Sequence, residues 1–336
     1  MNDDQRKLAI ETALEKIEKL YGSGSISILG RRKSLELETI DTSLLGLHEA
    51  LGCKGMPVGR IIELYGPESS GKTTLAMHAI ADVQKKFSHE GAAAIVDVEH
   101  SIDFKYIEKL GVDVKKLIFS QPNSAEEALD IVDGIIRSGG VKIVVLDSIA
   151  ALVPKSELEG SMGDSHMGLQ ARLMGQALRK ITAAVSKTGC IVIFINQLRH
   201  KIGVMFGSPE TTTGGNAMKF YASIRLDVRR VATVRDSKDN IIGHTMRMKV
   251  VKNKVAPPSK VVDFEMRYGE GICRILELID YGIKFGILEK SGSWYSFKGN
   301  KLAQGKENVK QHLKQESNKP LFDEVYSLIK EKLSKL

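Results

Sequence analysis

Residues 66–73 read Gly-Pro-Glu-Ser-Ser-Gly-Lys-Thr, the pattern G-x-x-x-x-G-K-[ST]. The apolar run Ile61-Ile62-Glu63-Leu64-Tyr65 precedes it, and a helical pattern opens at Lys72. This succession constrains the fold more than any other segment, because such a loop functions only between a strand and a helix. Its glycines let backbone N–H groups turn inward as an anion nest, and the helix start adds partial positive charge. Lys72 is expected to reach the β and γ phosphates of ATP, and the Thr73 hydroxyl to coordinate Mg2+. The candidate nucleotide contacts are therefore Gly66, Pro67, Glu68, Ser69, Ser70, Gly71, Lys72, Thr73 and Thr74. A bare glycine turn is the bland alternative.

Around this motif the pattern is α/β. Apolar runs recur at Ala92 to Val98, Ile143 to Leu146 and Cys190 to Ile195, separated by helical stretches over 72–87, 124–137 and 167–187. That alternation predicts a mostly parallel sheet with helices on both faces. Ser223 to Val231 and Thr245 to Lys252 alternate apolar with polar and read as antiparallel strands. Residues 4–21 predict an amphipathic helix with Ile10, Leu14, Ile17 and Tyr21 on one face, then a strand-like stretch from Ile26 to Leu29. This arm either packs on its own domain or docks on a neighbour. Residues 273–336 read as a small C-terminal α+β domain with three helical stretches and an aromatic hairpin-like segment, Ser293 to Phe297. Trp294, Tyr295 and Phe297 are expected in its core. The alternative is a duplex-capture surface with Lys298, Lys301, Lys306 and Lys310. The expected boundaries are 1–34, 35–272 and 273–336.

Three further positions suit ATP chemistry. Asp147 ends the strand Ile143-Val144-Val145-Leu146 and is the candidate acid behind the magnesium. Glu99 ends the strand Ile95-Val96-Asp97-Val98, where a carboxylate can reach a crevice and deprotonate water. Strand alternation turns its rival Asp97 to the face opposite Val98. Gln197, after Asn196, carries an amide suited to sensing a γ-phosphate.

Residues 198–216 read as a long glycine-rich loop without regular structure, which at this length is usually functional. It offers cations (Arg199, Lys201), wedge candidates (Ile202, Val204, Met205, Phe206) and Gly214-Gly215-Asn216 before a helix, whose amides suit phosphate. A second candidate loop spans 159–168. The helix after it carries Arg172 and Arg179, seven residues apart and so on one face.

Bulk properties fit this reading without demanding it. The net charge of +8 favours a polyanionic partner only weakly. Three scattered cysteines offer neither a disulfide framework nor a zinc site. No secretory leader and no membrane-length apolar run are read, so a cytoplasmic protein is expected.

Several long segments resemble the bacterial RecA recombinase family. They are Gly66 to Thr74, Gly163-Asp164-Ser165-His166-Met167-Gly168, Phe194-Ile195-Asn196-Gln197 and Lys201-Ile202-Gly203-Val204-Met205-Phe206-Gly207. Thr211 to Ala217, Lys219-Phe220-Tyr221-Ala222 and Val250-Val251-Lys252-Asn253-Lys254 complete the set. They keep the family's order and spacing, and the likeness runs from the N-terminal helix to about residue 306. The resemblance implies a RecA-like P-loop ATPase core, with Glu99 as catalytic base and Gln197 as γ-phosphate sensor. It implies that Asp103 and Tyr106 contact adenine, and that Lys252 and Lys254 reach a neighbour's γ-phosphate. Lys219, Phe220 and Arg225 would lie at the subunit interface. Met167, Arg172, Arg179, Arg199, His200, Lys201, Ile202, Thr213, Gly214, Gly215 and Asn216 would contact DNA.

The implied activity is ssDNA-dependent ATP hydrolysis by a helical filament that pairs single- with double-stranded DNA. Stimulated self-cleavage of LexA-type repressors is implied as well, and residues 1–34 would dock on the next subunit. Departures are His200 in place of an apolar residue, Gly175 in place of a common Ser, the basic Arg31-Arg32-Lys33, and a last segment without the family's acidic tail. The last of these implies weaker restraint on duplex loading. A hexameric motor of the same fold is the main rival. It would share Lys72, Asp147 and Gln197 but needs neither the Met-Phe loop nor a docking arm. A non-catalytic DNA-binding filament would need neither Glu99 nor Lys72.

Overall fold

The computed structural model describes residues 1–22, 25–28, 37–161, 168–200, 207 and 209–335. The chain divides into two compact units, Met1–Glu38 and Thr39–Leu336. The first carries α1 (Asp3–Tyr21). Asn2 and Gln5 cap it reciprocally, and Gly22, at φ +94°, ends it. Residues 26–28, the described part of the strand expected after this helix, form no strand. They contain Ser27 and follow a Gly-Ser-Gly-Ser stretch that favours no ladder.

In chain order the second unit contains β1 (Thr39–Ile40), α2 (Leu45–Leu51), β2 (Met56–Pro57), β3 (Ile61–Gly66), α3 (Lys72–Lys86), β4 (Ala93–Asp97), α4 (Phe104–Lys109), β5 (Leu117–Ser120), α5 (Ala125–Arg137), β6 (Ile143–Asp147), α6 (Lys155–Leu158), α7 (Leu169–Thr188), β7 (Ile191–His200), β8 (Glu210–Thr212), α8 (Ala217–Tyr221), β9 (Ile224–Arg235), β10 (Ile241–Asn253), β11 (Val261–Arg267), β12 (Gly271–Ile272), α9 (Arg274–Lys284), β13 (Leu288–Ser291), β14 (Trp294–Phe297), β15 (Asn300–Gln304), α10 (Lys306–Lys314) and α11 (Lys319–Leu333).

One large sheet runs β12-β11-β10-β9-β3-β7-β6-β4-β5. The six strands from β9 to β5 are parallel, and β10, β11 and β12 extend the sheet antiparallel. β9 thus corrects the sequence expectation on one side. It pairs antiparallel with β10 but parallel with β3, because α8 carries the chain back to the start of β3 before β9 begins.

Strand alternation feeds two cores. Ile62, Leu64, Ile143, Val145, Ile193 and Ile195 pack on the α3 side. Ile61, Val144, Leu146, Val192 and Phe194 pack with α5 and α7 on the other. The central strands are covered on both faces, which explains their unbroken apolar runs. α5 starts where the Ser124 hydroxyl accepts the Glu127 N–H at 3.2 Å.

The C-terminal residues build a third core from α9, α10, α11 and the sheet β13-β14-β15, into which Leu45 of α2 inserts. The aromatic segment is the middle strand of that sheet, not a hairpin, because partners flank it on both edges. Tyr295 and Phe297 are buried, whereas Trp294 faces outward beneath the Lys301 ammonium. Lys310 is also corrected: it is 6% exposed and paired with Glu307, so it cannot belong to a duplex-capture surface. No helix among the described residues is long and apolar enough to cross a membrane.

Candidate nucleotide and DNA site

Register brings the chemistry to one edge. Gly66 lies opposite Gln197 across β3 and β7, and Asp97 lies opposite Asp147 across β4 and β6. The phosphate loop, Glu99, Asp147 and Gln197 thus converge at the C-terminal ends of parallel strands, where α/β sheets bind ligands. They line a cleft of about 530 Å³.

The loop has the conformation of an anion nest. Ser69 and Gly71 adopt φ +54° and +97°, turning successive amides inward ahead of α3. The Lys72 ammonium donates to the carbonyls of Gly66 (3.2 Å) and Pro67 (2.6 Å). Burial holds it below the usual lysine range, and Asp147, Glu99 and Glu68 oppose that shift. Ser70 Oγ is buried with no hydrogen-bond partner among the described residues. The Thr73 hydroxyl donates to Asp147 at 2.6 Å. Burial pushes the Asp147 carboxyl up to about 6, the Thr73 bond opposes this, and Glu99 adds to it. A desolvated cation, an orphaned hydroxyl and a Thr–Asp oxygen pair make a donor set that fits a polyphosphate with a hard cation. Thr73 and Asp147 are the residues that would hold the magnesium.

Glu99 is exposed and accepts from Gln197 Nε2 at 2.8 Å and from the Ser148 hydroxyl. Asp97 is fully buried and accepts from the amides of Ser101 and Ile102 and from Gln121 Nε2. It therefore shapes the turn instead of facing the cleft. Asp103 caps α4 through the amides of Lys105 and Tyr106, and Tyr106 Oη lies 3.1 Å from Thr74 Oγ1.

The sequence did not mark Ser148, His244, Met266 and Tyr268. The last three enter the cleft from the antiparallel extension, about 180 to 200 residues beyond the phosphate loop. Only Ser148, directly after the strand-end Asp147, had a local signal.

The glycine-rich stretch begins as a β-hairpin stem, which corrects the expectation of an unstructured loop. β7 continues past Gln197 to His200 and pairs with β8, Leu198 opposite Thr212 and His200 opposite Glu210. Arg199 and His200 are exposed on this stem. Met167, Lys201 and Ile202, with the wedge candidates Val204, Met205 and Phe206, lie outside the described residues.

Gly214 and Gly215 turn at φ +77° and +74° directly on α7, where a Cβ on Gly215 would lie 2.8 Å from Ala171. The turn thus packs on α7 at Ala171, and Asn216, Arg172 and Arg179 are all exposed. Thr213 is half-buried and bonded to Asn196.

Phe220 is 73% exposed. Lys252 donates to the carbonyls of Lys219 (2.6 Å) and Phe220 (3.1 Å), and Lys254 is exposed next to it. Arg225 is largely buried against Glu63. No described contact brings Lys252 or Lys254 to this chain's own cleft.

Comparison with known proteins agrees with this geometry. Residues 8–273 match the family model of the RecA N-terminal domain and residues 276–334 that of the RecA C-terminal domain. The chain is 55% identical to Protein RecA of Rickettsia canadensis (strain McKiel) over 336 residues, covering 100% of this chain and 96% of that protein. It is 58% identical to Protein RecA of Rhodospirillum centenum (strain ATCC 51521 / SW) over 312 residues, covering 93% and 86%. The chain belongs to the RecA family, the DNA-dependent ATPases of homologous recombination and repair, which use ATP with Mg2+.

Proposed function

We propose that this chain polymerises on single-stranded DNA in the presence of ATP and exchanges strands with homologous duplex. One observation carries the proposal: β7 bears Gln197 at the phosphate cleft and, from the very next residue, Leu198, becomes the stem of the glycine-rich loop. Nucleotide state and DNA contact are thereby linked through a single strand.

In this reading Glu99 accepts the proton of the attacking water, and its bond to Gln197 holds it in place in the absence of γ-phosphate. Lys72 and the loop amides stabilise charge on the transferring phosphoryl group. Magnesium, when bound, adds positive charge against the phosphate oxygens. Lys252 and Lys254 serve a neighbouring subunit's nucleotide, which makes turnover depend on assembly. Their placement away from this chain's own cleft supports that role. Arg199, His200, Lys201, Arg172, Arg179, Thr213 and the Gly214-Gly215-Asn216 amides hold the DNA backbone, and Met167 and Ile202 meet bases.

The arm of residues 1–34 docks on the next subunit, the ATPase core spans 35–272, and residues 273–336 form the small C-terminal domain. What supports the last boundary is the separate apolar cluster of α9 to α11. Duplex DNA, a LexA-type repressor and a cytoplasmic setting complete the proposal.

Electron microscopy with single-stranded DNA and a non-hydrolysable ATP analogue tests it. Nucleotide-dependent helical filaments are expected. Closed hexameric rings would refute the proposal in favour of a translocating motor.

A further inference from the structure

We propose that Glu63 is a positioning residue that makes the DNA affinity of the glycine-rich loop depend on nucleotide state; this rests on the function proposed above. Glu63 sits on the central strand β3 and is fully buried. Ile62 and Leu64 enter the core beneath α3, so Glu63 faces the α7 side of the sheet. There its carboxylate holds two strands at once. Oε1 accepts from Asn196 Nδ2 on β7 at 2.9 Å, and Oε2 accepts from Arg225 Nε on β9 at 2.5 Å.

Asn196 passes the constraint on. Its Nδ2 also donates to the Thr213 carbonyl (3.1 Å), and its Oδ1 accepts from the Thr213 hydroxyl (2.5 Å) and the Gln197 amide (2.9 Å). Gln197 Nε2 reaches Glu99. A hydrogen-bonded path therefore runs from Glu99 through Gln197 and Asn196 to Thr213, just past the β8 end of the loop's stem. Gln197 has two alternative partners, Glu99 or a γ-phosphate, which supplies the two-state element that coupling needs. Glu63 is the fixed end against which Asn196 is held.

The other partner, Arg225, lies near the cation that the function proposed above assigns to a neighbouring subunit's nucleotide, Lys252. Arg225 stacks over the Tyr65 ring at 4.6 Å. Burial, then repulsion from Lys254 and Arg225, holds Lys252 below the usual lysine range, and Glu63 opposes this. Glu63 thus balances a cationic cluster on one side and sets the loop's end on the other. A buried ion pair adds little net stability over apolar packing, whereas it does fix the relative placement of Asn196 and Arg225.

Glu63→Gln keeps the size and one acceptor but removes the charge. The measurements are the affinity of the full chain for a fluorescent oligothymidylate with ATPγS and with ADP, its affinity for a fluorescent ADP, and its melting temperature. The expected result is nucleotide affinity within about twofold of the parent chain, with the ATPγS-over-ADP ratio of DNA affinity reduced about tenfold, the size of a typical coupling. An unchanged ratio, whatever the melting temperature, would mean a merely structural carboxylate and overturn the proposal. Should Glu63→Gln fail to fold, Glu63→Asp carries the same readout and the same two outcomes, since it keeps the charge but is one methylene too short to hold both partners. A parent chain that binds DNA equally with both nucleotides would overturn the proposed function itself, so the two failures are distinguishable.

Discussion

Glu277 offers a direct test of how the C-terminal helices are held to the ATPase core. It lies on α9, is buried, and accepts the Gly46 amide of α2 at 2.5 Å. Its second oxygen has no hydrogen-bond partner among the described residues. Burial pushes its pKa from 4.5 up to about 7, against the opposing amides of Gly46 and Leu45 and the charges of Arg274 and Lys330.

The sign follows from linkage. Between pH 4.5 and about 7 the folded chain binds more protons than the unfolded chain, so the stabilising contribution is present below 4.5 and is lost as pH rises through 7. A rise from 4.5 to about 7 corresponds to roughly 3 kcal/mol, at about 1.4 kcal/mol for each tenfold. Glu277→Gln keeps the acceptor for Gly46 and cannot ionise. Its stability relative to the parent chain should therefore improve by roughly 3 kcal/mol between pH 4.5 and pH 8, whatever constant cost the new amide brings. Urea unfolding followed by the fluorescence of Trp294, the single tryptophan, reads the C-terminal sheet directly. A variant-minus-parent difference equal at both pH values would refute an ionising carboxylate at this joint.

Lys72→Arg should still bind nucleotide but lose about 10²–10³-fold in turnover, because a bulky fork cannot occupy the ammonium's position between two backbone carbonyls; steady-state hydrolysis at near-parental rate would remove Lys72 from the mechanism. Gly215→Ala places a Cβ 2.8 Å from Ala171 at a positive φ and should cost about 1–3 kcal/mol while lifting the turn from α7; fluorescence anisotropy should show about tenfold weaker single-strand binding, and unchanged affinity would dissociate the turn from DNA contact. Arg172→Ala and Arg179→Ala should each reduce the slope of log affinity against log salt by about 0.7; an unaltered slope would show that α7 does not touch phosphate.

The phosphate loop was legible from the sequence because its chemistry is local. Eight consecutive residues supply the glycines, the lysine and the hydroxyl, and the flanking strand and helix announce themselves by periodicity. Asp147, Glu99 and Gln197 were legible for a related reason, since each ends an apolar run and buried parallel strands present their C-terminal ends to one crevice.

Tertiary structure alone decided the rest. His244 and Met266 enter the cleft from strands, and Tyr268 from the turn just past β11, with no local signal, because sheet order sets their position. The hairpin stem of β7 and β8 escaped notice because three-residue pairing leaves no periodic pattern. The pairing of Glu63 with both Asn196 and Arg225 joins residues 133 and 162 positions apart. Local sequence dictates which residues carry chemistry, but strand register dictates which of them meet, and register is a property of the whole sheet.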